Sequence, residues 1–478
     1  MNFGEVLEGR PPGSIALVEL RSDGARREHT FGELLAASGA LAGTLAEVGV
    51  RRGDVVMIVI ESRVEWVLAM LASFRIGAVA LPCVAQSRAK DIALRARATK
   101  PAAVLGSPTT APEIEAAKLD CRLLVLPDPS ALRAAAPPPA ELAAGDASLL
   151  MFTSGTSGEP KPVLHGTGYL FGQTLQGRHW LDVRPGDLAW CTAAPGWSKS
   201  TRNAFVTPWQ LGARVLLHDA RFDPAERLDV LRREGVNVLC MSPTEYRMMI
   251  RRTELGDLPE LRSAVAAGEA LDARSTTAWR DGTGVRLRDG YGQTETGAVT
   301  AITPADPERP GSMGRPLPGL RTEIVDGELC LDPATSPTFC LGYLGEPAPQ
   351  GLWHTGDLVE ADEEGFLWFR GRADDVVISA GYRIDPTEVE AALNSHPSVE
   401  EAAVIGAPDD ERGEIVRAVV VLRAGQEPSE TSIKELQTHV KQQTAPYKYP
   451  RQIDFSTALP RTATGKLKRG ALRKHTAR

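Results

Sequence analysis

Two hydrophobic periods alternate along the first 130 residues. Over residues 30–47, Leu34, Leu35, Leu41 and Leu45, with the flanking Val48, recur at helical spacing and predict an amphipathic helix. Residues 54–61 enclose the run VVMIVI, apolar on both faces, which suits a strand buried in a parallel sheet. The pattern repeats, with a helix predicted over 65–75 and a strand over 79–82. This alternation predicts βα units and an α/β fold with mostly parallel sheets. Residues 134–144 (AAAPPPAELAA) are a Pro/Ala-rich connector that predicts a surface loop, and a second break falls at residues 370–375. Beyond it, Asp385-Pro386-Thr387-Glu388 reads as a capping box: Asp385 at the N-cap, Pro386 at the first helical position, Glu388 at the third. Ile384 and Val389 are spaced to staple that helix, which covers 388–393. Apolar strands follow over 402–405 and 416–422. The expected architecture is a large N-terminal domain of βα-type mixed sheets over 1–373 and a small α+β domain over 374–478.

Composition narrows the setting. The 478 residues are 42% hydrophobic and 24% charged, and 54 Lys and Arg stand against 61 Asp and Glu, for a net charge of −7. That balance gives no overall basic field for nucleic acid or an anionic membrane. The six cysteines (Cys83, Cys121, Cys191, Cys240, Cys330 and Cys340) are scattered without a CxxC pair, so they read as buried thiols rather than a disulfide framework or zinc site. No run reaches the roughly 20 apolar residues of a membrane-spanning helix, and the first 13 residues lack the basic and apolar regions of a signal peptide. The cytoplasm is the expected location.

The first string that carries chemistry is Thr153-Ser154-Gly155-Thr156-Ser157-Gly158-Glu159-Pro160-Lys161, directly after the apolar residues 149–152. Hydroxyl residues and glycines fill its first six positions. Such a loop offers many N–H and O–H donors to phosphate oxygens, and Lys161 adds a point charge. It is not a Walker A loop, because Lys161 lies between two prolines rather than after a glycine. Composition alone would equally suit a Ser/Gly-rich surface turn; the order of residues argues against that.

This order resembles the signature loop of the adenylate-forming superfamily, which includes acyl-CoA synthetases, adenylation domains of peptide synthetases and firefly-type luciferases. Further motifs follow in family order. Ala267-Gly268-Glu269-Ala270 resembles the segment that packs on adenine, where glycine permits close approach of a flat ring; alone it would read as an ordinary turn at a strand end. Asp289-Gly290-Tyr291-Gly292-Gln293-Thr294-Glu295-Thr296-Gly297 is more specific. The resemblance gives Tyr291 as a stacking face for adenine, Thr294 as a hydroxyl for the α-phosphate, and Glu295 as an oxygen ligand for Mg²⁺. His354-Thr355-Gly356-Asp357 and Gly371-Arg372-Ala373-Asp374 resemble the ribose-binding motifs, with Asp357 and Arg372 on the ribose and Asp374 as the hinge of a mobile C-terminal domain.

Pro460-Arg461-Thr462-Ala463-Thr464-Gly465-Lys466 resembles the family's C-terminal pattern and makes Lys466 the catalytic lysine, its charge held against the α-phosphate. By charge alone, Lys466, Lys468, Arg469, Arg473 and Lys474 would read as a solvated basic tail. The resemblance further implies domain alternation: Gly381, Tyr382 and Arg383 replace Lys466 for thioester formation, and Arg412, Tyr449 and Arg451 contact coenzyme A. Residues 378–390 and 446–451 look most like the medium-chain and aryl acyl-CoA synthetase branch. Trp197 is then a wall of the acyl pocket. Gly292, where acetate-specific relatives carry tryptophan, is expected to leave room for a longer or aromatic acid. The implied reaction is an ATP- and Mg²⁺-dependent carboxylic acid:CoA ligation, with small-molecule partners and a homodimer allowed. Two alternatives stay open: an enzyme loading a separate carrier protein, and a non-catalytic acyl or nucleotide sensor.

Overall fold

The computed structural model describes the chain apart from residues 128–131, 133, 154–159, 374, 380–381, 410–411, 462–466 and 475–478. The expected site residues Ser154, Gly155, Thr156, Ser157, Gly158, Asp374, Gly381 and Lys466 therefore lie outside the described residues. The chain forms two compact units. The described part of the first comprises Met1–Thr153, Pro160–Arg321 and Asp332–Trp353; that of the second comprises Thr322–Leu331 and the residues from His354 onward. The boundary expected at 373/374 falls inside the second unit.

The first unit carries two sheets. One has nine strands among the described residues, in the order Arg315–Pro316, Gly297–Ala301, Leu287–Gln293, Ser263–Ala266, Val238–Met241, Leu188–Cys191, Arg214–His218, Ile15–Leu20, Arg26–Thr30. Its middle is parallel and its margins antiparallel. The other has seven: Gly342–Tyr343, Pro162–Gly166, Ala147–Phe152, Val79–Pro82, Val55–Val59, Ala103–Gly106, Arg122–Val125. The VVMIVI run supplies its fully buried strand Val55–Val59, flanked on both sides by parallel neighbours, as its two-faced hydrophobicity requires.

The first predicted helix spans Phe31–Glu47, and the second spans Val64–Arg75. Thr30 and Glu33 close a reciprocal capping box on the first, which typically contributes about 1 kcal/mol. The Pro/Ala connector has no regular structure, yet it is fixed: Arg75 Nε donates to the Pro137 carbonyl at 2.7 Å.

In the second unit, the strands Thr322–Val325, Glu328–Leu331, Trp353–Ala361 and Leu367–Arg372 line up as one sheet, with Trp353 itself assigned to the first unit. A second sheet is built on the long hairpin Val399–Asp409 and Gly413–Leu422, with Gln452–Phe455 parallel to the latter. The helix Pro386–Asn394 has Asp385 at its N-cap and Pro386 at its first position, as expected. The capping box itself is replaced by a tighter turn. Asp385 accepts from the backbone N and the hydroxyl of Thr387 at 2.7 and 2.8 Å, and Glu388 pairs with Lys448 at 2.5 Å. Ile384 and Val389 are both buried in the same core. The cysteines are free thiols, all buried except the half-buried Cys121. Among the described residues no helix is long and apolar enough to cross a membrane.

One carboxylate couples the two sheets of the first unit. Helix Val64–Arg75 has no side-chain cap of its own, and Glu19, from the strand Ile15–Leu20, accepts from the Val64 N–H at 3.0 Å instead. Arg21 bridges Glu19 and Glu65, and Arg63 pairs with Asp219 at 2.5 Å. Burial opposes ionisation of Glu19, but His29, the Val64 amide and Arg21 together outweigh it and hold its pKa at about 2, below its ordinary 4.5. Because the folded value is depressed, this stabilisation is complete above pH 4.5 and is lost as pH falls from there through about 2. Glu19→Gln is expected to destabilise the protein by about 1–3 kcal/mol at pH 7. In denaturant unfolding, the gap from wild type should close as pH falls from 4.5 towards 2; a gap independent of pH would show that the ionised carboxylate is not what couples the sheets.

Candidate active site

The phosphate-loop string is pinched at its base. Thr153 N–H donates to the Lys161 carbonyl at 3.0 Å, and Lys161 N–H reaches the Thr153 hydroxyl at 3.4 Å. The strand leaving the loop, Pro162–Gly166, pairs with Gly342–Tyr343, so Tyr343 stands opposite Val163. This register sets the Lys161 ammonium 4.7 Å above the Tyr343 ring and 3.2 Å from Glu346. The Tyr343 hydroxyl in turn donates to Glu295 Oε1 at 2.8 Å. Burial, then the charge of Glu295, pushes the Tyr343 phenol above its ordinary range, so it remains a donor. The structure thus brings Thr153, Lys161 and Glu295 into one constellation. The Lys161–Glu346 pair is exposed on both sides, so an incoming anion can displace it at little cost.

Glu295 occupies the turn between Leu287–Gln293 and Gly297–Ala301 and is 8% exposed. The turn is held from several directions. Gln293 N–H donates to the Thr296 hydroxyl at 3.0 Å, the Thr338 hydroxyl to the Thr296 carbonyl at 2.7 Å, and Cys340 N–H to the Glu295 carbonyl at 2.8 Å. Trp353 Nε1 anchors Gln293 Oε1 at 3.0 Å. Glu295 Oε2 has no hydrogen-bond partner among the described residues, which leaves a hard oxygen free for a cation. Thr294 and Tyr291 are half-buried on the same hairpin.

Three expected nucleotide contacts are engaged within the protein. Asp289 is buried and accepts from Gly290 N–H at 2.9 Å and from the Leu271 amide. Burial nevertheless pushes its carboxyl well above the usual range. Glu269 Oε2 takes the Thr244 hydroxyl at 2.6 Å and Arg247 at 2.9 Å. Gly292 departs from its expected role. A Cβ there would fall inside the Gly297 carbonyl oxygen and lie 2.9 Å from Ala298 Cα, because a register shift between Tyr291 and Gly292 folds the hairpin back on itself. Backbone contact by itself demands glycine at this position, independently of any space for an acyl chain. Gly268 (φ +102°) and Ala270 form the turn after Ser263–Ala266, and Trp197 follows Gly196, whose φ of +93° lets it lie against the Cys83–Val84 backbone.

In the second unit, Asp357 and Arg372 are cross-strand partners, and Arg372 Nη1 donates to Asp357 Oδ1 and to the Thr355 carbonyl, both at 3.1 Å. The two expected ribose residues therefore meet. Glu328 supports them by accepting from Gly356 N–H at 2.6 Å. Glu328, Cys330 and His354 present ligand atoms within 4.8 Å of one another, but their own hydrogen bonds already tie them into this turn. Tyr382 is exposed and stacks on Tyr447, with centroids 4.4 Å apart. Arg451 donates to the Tyr449 hydroxyl at 2.8 Å, and Lys441 lies over the Tyr449 ring at 3.9 Å. Arg412 N–H is bound to Asp409, on the same hairpin; the side chain of Arg383 lies outside the described residues. The basic C-terminal cluster is not a solvated tail throughout, since Arg473 pairs with Asp375 at 2.8 Å and Arg469 with Glu390 at 2.7 Å.

Tyr343, Glu346 and Glu328 carry no signal in the sequence. They enter through strand pairings between segments far apart in the chain.

Residues 5–342 match the family model of the AMP-binding enzymes, and residues 388–466 match that of the AMP-binding enzyme C-terminal domain. The chain is 36% identical to an uncharacterized acyl–CoA ligase of Bacillus subtilis (strain 168), over 96% of this chain and 92% of that protein. It is 35% identical to the mitochondrial acyl-coenzyme A synthetase ACSM3 of Homo sapiens, over 98% and 86%. Similar solved structures include a benzoate CoA ligase of Burkholderia xenovorans LB400 (26% identity, TM-score 0.87, 99% of this chain and 100% of that one). Another is the anthranilate CoA ligase AuaEII in complex with anthranoyl-AMP (28% identity, TM-score 0.88, 100% and 97%).

The packing of Gly292 predicts that Gly292→Ala and Gly292→Trp both disturb the hairpin that carries Glu295. Each should destabilise the protein by about 1–3 kcal/mol or more. Turnover of all acids should fall together, as measured by thermal unfolding and relative rates on short and long acids. A shift in chain-length preference at unchanged melting temperature would restore the pocket reading of Gly292.

Proposed function

This chain belongs to the AMP-binding enzyme family, among its acyl-CoA ligases, and from that premise we propose that it activates a medium-chain or aromatic carboxylic acid with ATP and passes the acyl group to coenzyme A. The observation that supports this reading is the constellation Thr153–Lys161–Tyr343–Glu295, which gathers the two residues at the base of the expected phosphate loop, one of them a cation, and a free carboxylate oxygen in one unit.

In the first half-reaction a carboxylate oxygen of the acid attacks the α-phosphorus of ATP. The bond to the β-phosphate breaks and pyrophosphate leaves. The attacking group is already ionised, so no general base is required. The residues position and neutralise: Tyr291 stacks on adenine, Asp357 and Arg372 hold the ribose, and Lys161 and the loop hold phosphate. Thr294 bonds the α-phosphate, and the Lys466 ammonium offsets the charge that grows on its oxygens. The donor set at Glu295 fits Mg²⁺, and the ion would supply further neutralisation of the phosphate oxygens. In the second half-reaction the sulfur of coenzyme A attacks the acyl carbonyl, the acyl–phosphate bond breaks, AMP leaves, and the thiol proton passes to solvent. Gly381, Tyr382 and Arg383 serve that step. Tyr449 and Arg451, with Lys441 against the same ring, form a basic, aromatic surface suited to the nucleotide of coenzyme A.

The choice of medium-chain or aromatic acids rests on the relatives, which include a benzoate and an anthranilate CoA ligase. AMP release from ATP, Mg²⁺ and coenzyme A over aliphatic acids of increasing length and substituted benzoates tests the whole reading. Release that requires both an acid and coenzyme A is the expected outcome. Acid-dependent pyrophosphate exchange without use of coenzyme A would indicate another acyl acceptor, such as a carrier protein. The half-reactions separate by mutation. Lys466→Ala is expected to slow adenylation by about 100-fold or more while sparing thioester formation from supplied acyl-adenylate. Gly381→Leu should do the reverse, and equal loss in both halves for either variant would refute the division of labour.

A further inference from the structure

The short helical segments Ser198–Thr201 and Arg202–Val206, just after Trp197, carry two cations into the interior of the first unit. Lys199 is 7% exposed and donates to the Ala267 carbonyl at 2.6 Å. Arg202 is 5% exposed, and its Nε and Nη1 have no hydrogen-bond partner among the described residues. Lys199 and Arg202 are spaced three residues apart, and both charges add to the hydrogen bond with Cys191 that lowers the Cys240 thiol below its ordinary range. Neither forms an ion pair with a described carboxylate.

Among the described residues no carboxylate pairs with Arg202. The rings of His165 (0% exposed) and Tyr169 lie tilted with centroids 4.0 Å apart; Arg202 acts electrostatically on both and also hydrogen-bonds the Tyr169 hydroxyl. Burial, reinforced by that guanidinium, holds the His165 pKa down to about 3, so the imidazole is neutral at working pH. Both ring nitrogens of His165, Ser200 Oγ and Thr201 Oγ1 are also buried without described partners. An interior guanidinium with no carboxylate partner, among unpaired polar groups, is costly unless something completes the set.

The cluster adjoins both expected halves of the site in this unit. Lys199 binds the residue preceding Gly268, and Tyr169 lies within electrostatic range of the thiol of Cys340, whose N–H holds the Glu295 turn. Trp197, the acyl-pocket wall, lies beside Lys199, whose ammonium is 5.7 Å from its ring.

We propose that Arg202 is a substrate-recognition residue and that the preferred acid is a dicarboxylic acid, whose second carboxylate pairs with the buried Arg202 guanidinium while the first is adenylated. Lys199, already bonded to Ala267, adds positive potential rather than a contact. The inference rests on the acid-activating reading and narrows its substrate class.

The test is AMP formation with ATP, Mg²⁺ and coenzyme A on acids matched in carbon skeleton: hexanoate with adipate, octanoate with suberate, benzoate with terephthalate. The wild-type protein itself decides, so no variant has to fold. In at least one pair the diacid should be favoured by about 100-fold or more in kcat/KM, since a site built for a polar group rejects the analogue lacking it. Arg202→Met should abolish that ratio, mainly through KM, and Arg202→Lys should restore part of it. Monoacids used as well as their diacid partners would overturn the proposal. So would an Arg202→Met variant that slows both members of a pair equally, which would give Arg202 a role in the common chemistry or the fold. AMP formation from no acid would refute the ligase reading, and this inference with it.

Discussion

The proposed site in the first unit is organised around the hydrogen bond from the Tyr343 hydroxyl to Glu295 Oε1 at 2.8 Å. It joins two sheets. Tyr343 belongs to the outermost strand of the seven-stranded sheet, beside the strand that leaves the phosphate loop. Glu295 belongs to a hairpin near the margin of the nine-stranded sheet. Each sheet alone presents half of the proposed phosphate and cation site. The phenol fixes one carboxylate oxygen and leaves the other free, and its ring faces the Lys161 ammonium. A carboxylate so held cannot turn to neutralise Lys161 directly, so both charges stay available to a ligand.

What the sequence made legible follows from how local each feature is. The phosphate loop, the Tyr291–Glu295 string, and the Asp357 and Arg372 motifs are contiguous runs whose residue order carries the chemistry, and the ribose pair does meet across a strand ladder. The buried strand Val55–Val59 and the helix Phe31–Glu47 were legible because their periods report burial directly. Tyr343 and Glu346 were not, because they reach the site through pairing with a strand some 180 residues earlier, Lys161 and Glu346 being 185 residues apart. Glu19 was illegible for the same reason: it caps a helix 45 residues away.

Local reading leaves more than one destination open for some side chains, and the fold shows which is taken within the protein. Asp289 sits in the most specific motif, yet its carboxylate binds the backbone of its own hairpin and of Leu271. Glu388 fits a capping box by spacing, but Lys448 offers a charged partner and Thr387 satisfies Asp385. Gly292 could mean an open pocket or a crowded backbone; only the register shift beside it separates the two. The polar cluster at Arg202 is the opposite case, because its ordinary-looking helical sequence hides groups that the fold buries without partners.

The position of the first strand bears on how the chain is made. The strand Ile15–Leu20 lies inside the nine-stranded sheet, and its Ala16 carbonyl accepts from the Trp209 indole, 193 residues further on. At a ribosomal rate of about 5–20 residues per second, its parallel neighbour emerges about 10–40 s after it. Through that interval only the hairpin to Arg26–Thr30 covers one side, and an apolar edge is left open. The seven-stranded sheet, whose parallel strands all lie within residues 55–152, has its sequence complete much sooner. The nascent protein thus carries its first strand as a waiting edge, and chaperone demand during synthesis should concentrate on that one segment.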